Sequence, residues 1–74
     1  MEPNIADSVA AIVRAEMARR RRSSADLARE LGISPVSVSR RLTGEVPIDV
    51  NELAQIAAFL GLPMSSLLPE AATA

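Results

Sequence analysis

Helix start and stop signals alternate along this 74-residue chain at intervals that leave room only for short helices. Ser23 and Asp26 form an S-x-x-D pair, in which the hydroxyl accepts from a backbone amide and the carboxylate reaches back to the cap. Gly32 offers the left-handed backbone conformation that ends a helix. Ser34 followed by Pro35 is a second start: serine caps, and proline suits a first turn, where no amide donor is needed. Gly44 ends that segment. Asp49 and Glu52 repeat the capping pair, Gly61 is a further stop, and Pro63 opens a last short stretch.

Between these signals the apolar residues recur at helical spacing. Ile5, Val9, Ile12, Val13 and Met17 form one stripe, which predicts a first helix over 5–20 capped by Asn4 or Asp7. A second helix over 24–31, capped by Ser23 or Ser24, turns Leu27, Ala28 and Leu31 inward. A third runs over 35–43, followed by a loop over 45–48. Val50, Leu53, Ile56, Ala57 and Leu60 give a fourth helix its apolar face. Residues 64–68 make a short fifth, and 69–74 read as a frayed tail. Phe59 is the only aromatic residue, and abundant Ala and Leu favour helices over a sheet. The expected fold is therefore all-α: a compact five-helix unit, with no room for a second domain. A chain this small gains stability by pairing with itself, and Met64, Leu67 and Leu68 are candidates for a homodimer seam.

The composition excludes most chemistry. Without Cys or His there is no disulfide, no thiolate nucleophile, no zinc site of the usual kind and no imidazole base. The serines have neither His nor Lys to activate them. Asp49 and Glu52 read as caps rather than a catalytic carboxylate pair. The expectation is a protein that is not an enzyme and needs no cofactor, metal or small-molecule ligand. No apolar run reaches the roughly 20 residues that span a bilayer, and the acidic start lacks a signal-peptide layout. A cytoplasmic protein with no membrane partner is expected.

Charge is unevenly spread. The net charge is −1, yet residues 14–41 hold all eight arginines and only Glu16, Asp26 and Glu30, a local charge of +5. The flanks are acidic. A cationic band matters more to a polyanionic partner than the overall sum does. There is no lysine, so every basic group is a planar fork able to hold phosphate or guanine by two bonds.

Inside that band, two short helices joined by a glycine-containing turn form the helix-turn-helix layout. Ala28 must be small where the third helix crosses the second. Gly32 must adopt the left-handed turn. Val38 is the buried anchor of the third helix, with Leu27, Leu31 and Ile33 completing the local core.

The stretch SADLARELGISPVSVSRRLTG resembles the helix-turn-helix of the phage Cro and repressor family, also called the xenobiotic-response-element family. The similarity continues through DVNELAQIAAFLGLPMSSLL, which resembles that family's trailing helices. The resemblance implies a lambda-repressor-like domain that binds operator DNA, commonly as a dimer, and regulates transcription. With no effector or cleavage domain, the chain is more like Cro than like a two-domain repressor.

By the same resemblance, the amino-terminal part of the third helix enters the major groove. Pro35, Val36 and Arg40 match base-reading positions, and Ser37 lies beside them. Ser24 matches a phosphate-contact position, and Arg22 and Thr43 are backbone contacts by proximity. Arg41 stands where the family carries an apolar residue. Leu42 is expected to take over that packing, and either Arg40 or Arg41 faces the bases. The alternative function is a protein-interaction module, or an antitoxin-like protein, with the same fold.

Overall fold

The computed structural model describes residues 4–70. These form four α-helices and one 3₁₀ turn: α1 (Ile5–Arg19), α2 (Ser24–Leu31), α3 (Pro35–Leu42), α4 (Val50–Leu60) and the turn Met64–Leu67. The expected start signals are in use. Asn4 Oδ1 accepts from the Ala6 amide at 2.8 Å and begins α1. Ser23, not Ser24, caps α2, and Ser23 and Asp26 exchange both bonds of the capping box. Ser34 caps α3 with Pro35 behind it. Asp49 and Glu52 form the second complete box at α4. Each such cap contributes about 1 kcal/mol.

Five side chains lie at the centre of the fold: Val13, Leu27, Val38, Ile56 and Leu67. Each comes from a different element, so no element can be lost without opening the core. α2 packs against α3 and α4, α1 lies against α3, and the 3₁₀ turn closes over α4 and α1.

The fifth helix is not an α-helix. Residues 64–67 form a 3₁₀ turn with no side-chain cap. The five residues between Pro63 and Pro69 cannot repay the cost of nucleating an α-helix, and the tighter i→i+3 pattern prevails. Its function in the fold is to deliver Leu67, which is fully buried. Two members of the expected stripes face water: Ile5 is 57% exposed and Val50 72%. Both occupy the first helical position of their helices, at the ends of apolar faces whose centres meet the core. Ala10, a methyl group too small to register as part of the stripe, is completely buried. Of the expected frayed tail, residues 71–74 lie outside the described residues.

Gly32, Gly44 and Gly61 all have left-handed backbones, but their constraints differ. A β-carbon on Gly32 would meet nothing within 4 Å, whereas on Gly44 it would lie 3.1 Å from Cα of Asp7 and closer still to its carboxylate. The end of α3 thus abuts the first turn of α1. Gly32→Ala should cost about 1–2 kcal/mol, the left-handed penalty alone. Gly44→Ala should cost more, because α1 must also shift; urea unfolding of the two variants checks the order.

Two carboxylates are held below their ordinary values. Glu16, ordinarily 4.5, is lowered chiefly by the hydrogen bond from Arg19; desolvation opposes it, and the hydrogen bond from Arg20 adds to the lowering. Asp26, ordinarily 3.8, is lowered chiefly by the Ser23 amide and then by the Ser23 hydroxyl. A depressed native pKa contributes stability above the unfolded value and loses it as pH falls through the native one. The urea midpoint should therefore be flat near neutrality and fall below about pH 4.5. In Asp26→Asn the midpoint should be lower at pH 7 and the acid-side drop shallower.

Candidate nucleic-acid interface

The turn between α2 and α3 is set by local chemistry. Gly32 ends α2 at φ 67° and ψ 31°, its amide donating to the Ala28 carbonyl. The Ile33 amide donates to the same carbonyl at 3.2 Å. Two residues later Ser34 starts α3. Ala28 is 6% exposed and Val38 is completely buried.

Only Val38 and Leu42 of α3 are buried. Pro35, Val36, Ser39 and Arg40 all face outward, and Val36 is 61% exposed. Ser37 is half-buried, and its hydroxyl accepts from Ser34 Oγ at 3.0 Å. A short ridge of mixed apolar, hydroxyl and cationic groups thus stands clear of the core. The Arg40 side chain has no hydrogen-bonding or ionic partner among the described residues; its carbonyl accepts from Thr43 Oγ1 at 3.0 Å. That bond occupies the Thr43 hydroxyl proton, which is the group a phosphate would need.

Arg41 is placed differently. Its Nε donates to Glu52 Oε2 on α4 at 3.0 Å, and its Nη1 to the Ser37 carbonyl at 3.1 Å. Both members of the ion pair are largely covered, with side-chain exposures of 21% and 15%. Glu52 Oε1 meanwhile accepts from the Asp49 amide at 3.1 Å. One carboxylate therefore closes the cap of α4 and tethers α3 to it. Leu42 takes the inward packing, as expected, and Arg41 lies along the surface between the helices.

The remaining cations divide into engaged and unengaged. Arg14 donates to the Leu42 carbonyl at the end of α3, where a cation also suits the helix dipole. Arg19 and Arg20 share Glu16 at 2.7 and 2.9 Å. Arg29 pairs with Asp26. Arg22 lies over the Phe59 ring, 5.3 Å from its centroid. Arg22 and Ser24 border a shallow cleft together with Arg14, Met17 and Leu42, so the start of α2 and the end of α3 face a common depression. Arg21 and Arg40 are left with no side-chain partner among the described residues. Nothing in the sequence marks Glu52 as the anchor of α3 or sets Arg21 apart from its neighbours.

Among the described residues no group of His, Cys, Asp or Glu is arranged to hold a metal ion. Among the same residues no helix is long and apolar enough to cross a membrane.

This geometry has close counterparts. The clp gene regulator ClgR from Corynebacterium glutamicum is 26% identical and superposes with a TM-score of 0.86 over 97% of this chain and 94% of that one. The DNA-binding domain of BldD is 27% identical, with a TM-score of 0.77 over 93% of this chain and all of that one. The FeII form of HppE also contains the fold, at 26% identity and a TM-score of 0.81, but 92% of this chain spans only 36% of HppE. A search of curated protein sequences finds no match. The helix-turn-helix family profile matches residues 13–67, from the second half of α1 to the end of the 3₁₀ turn. The chain belongs to the helix-turn-helix family of the Cro and repressor type.

Proposed function

We propose that the protein is a sequence-specific double-stranded DNA-binding regulator of transcription that acts by occupying an operator. The observation that carries this reading is the outward ridge of α3, with Val36 exposed and Arg40 unengaged beside it. A helix presented in this way fits the major groove, with residues near its amino end meeting base edges. Its likeness to the ClgR regulator and to the BldD DNA-binding domain supports the same reading. It is a binding function, not a catalytic one.

In this reading Arg40 is the principal base contact, matched to guanine O6 and N7. Val36 offers an apolar contact to a thymine methyl, with Pro35 and Ser37 at its sides. Arg41 is a positioning residue: its pair with Glu52 sets how far α3 can rotate about the Val38 anchor. Ser24 and Arg22 face the phosphate backbone from the start of α2. Operator binding is by a homodimer, with half-sites about one helical turn, roughly 34 Å, apart. Because Leu67 is fully buried within the protomer, the dimer seam draws on the half-exposed edges of Met64 and Leu68.

Selection from a randomised duplex pool, followed by fluorescence anisotropy across a salt series, tests this directly. The expected result is an enriched motif and binding that weakens steeply with salt. Arg40→Ala should lose about 1–3 kcal/mol of discrimination at one base pair with the fold intact. Arg41→Ala should instead lower thermal stability, by about 1 kcal/mol for a partly covered pair. Failure to bind any duplex at low salt would assign the ridge to a protein partner.

A further inference from the structure

The connection between α1 and α2 is a Schellman turn. The Arg22 amide donates to the Met17 carbonyl at 2.9 Å, and the Arg21 amide to that of Ala18 at 3.2 Å. The position between the helix end and Arg22 must be left-handed, and glycine is its usual occupant. Here it is Arg21, at φ 53°. Every other left-handed position among the described residues is a glycine: 32, 44 and 61. The chain uses glycine wherever its backbone turns this way except at Arg21, where a β-carbon carries a strain that glycine would avoid.

The two turn hydrogen bonds would form equally well with glycine, so the fold gives no reason for arginine at this position. Arg21 is exposed, and its guanidinium engages no carboxylate, carbonyl or ring among the described residues. Nor is it needed to balance the α1 dipole, since Arg19 and Arg20 already stand at that end, paired with Glu16. Arg21 sits two residues before Ser23, the cap of α2, within about 7 Å along the chain. In a helix-turn-helix the first helix of the pair crosses the nucleic-acid backbone. An unengaged, planar, permanently charged fork at that helix start is placed for a phosphate.

We propose that Arg21 is a phosphate-backbone contact in the DNA complex, retained at the expense of stability and indifferent to base sequence. This rests on the DNA-binding reading above. Arg21→Gly is the discriminating variant because it relieves the turn while deleting the cation, so it folds. Its melting temperature should rise by about 4–8 °C. On the selected duplex its binding should weaken several-fold, with the slope of log K against log salt shallower by about 0.9. The preferred sequence should not change. Arg21→Lys, which keeps charge and strain, should retain the slope. An Arg21→Gly protein with unchanged affinity and slope would overturn the proposal. An altered sequence preference would overturn it in favour of a base contact. If the wild-type protein itself binds no duplex at low salt, the DNA reading fails, and this inference fails with it.

Discussion

Val38 and Leu42 are the only side chains by which α3 enters the core, and the presentation of its outer surface depends on them. Two buried residues four apart fix one line along a helix but leave its rotation soft. Two polar contacts complete the restraint. Arg41 ties the flank of α3 to Glu52 on α4, and Arg14 reaches from α1 to the Leu42 carbonyl at its end. Gly44 then lets the chain leave α3 against Asp7 without a β-carbon in the way. A helix of eight residues is too short to hold itself. α3 is held by its neighbours, and its solvent side is free of packing duties.

The same economy governs charge. Eight arginines in a chain with a net charge of −1 look like a diffuse cationic surface. In the fold most of them are committed: to carboxylates, to a helix-end carbonyl, or to the Phe59 ring. What remains unengaged is sparse and local. Arg40 stands on the ridge of α3, and Arg21 stands at the approach to α2. Exposed pairs such as Arg29 with Asp26 add little stability. Pairing neutralises charge only where a carboxylate is engaged, at Glu16, Asp26 and Glu52.

Much of this was legible in the sequence because it is local. The caps at Ser23, Ser34 and Asp49 need only residues within one helical turn, and Gly32 and Gly61 announce their stops by composition alone. Ala28, Gly32 and Val38 together marked the helix-turn-helix. What escaped is what three-dimensional packing decides. Arg41 and Glu52 are separated by a loop, so a search for partners within the helix could not pair them. Asp7 and Gly44 meet only when α1 lies against the end of α3. Arg21 looked like one more charge in a run of four arginines, because no local rule places arginine in a left-handed turn. The stripe through Ile5 and Val50 extended past the core because periodicity shows direction but not where burial ends. The fifth helix failed on length, with five residues confined between two prolines.

In the proposed complex the outer ridge of α3 and the start of α2 together form the DNA-binding face. Amide chemical-shift mapping of the labelled protein, titrated with a selected duplex, tests it most directly. On this reading the largest perturbations should fall on Val36, Ser37, Ser39 and Arg40 and on residues 21–25, with the amides of Ile56 and Leu67 little changed. Perturbations concentrated on α4 and the 3₁₀ turn, with α3 silent, would contradict it.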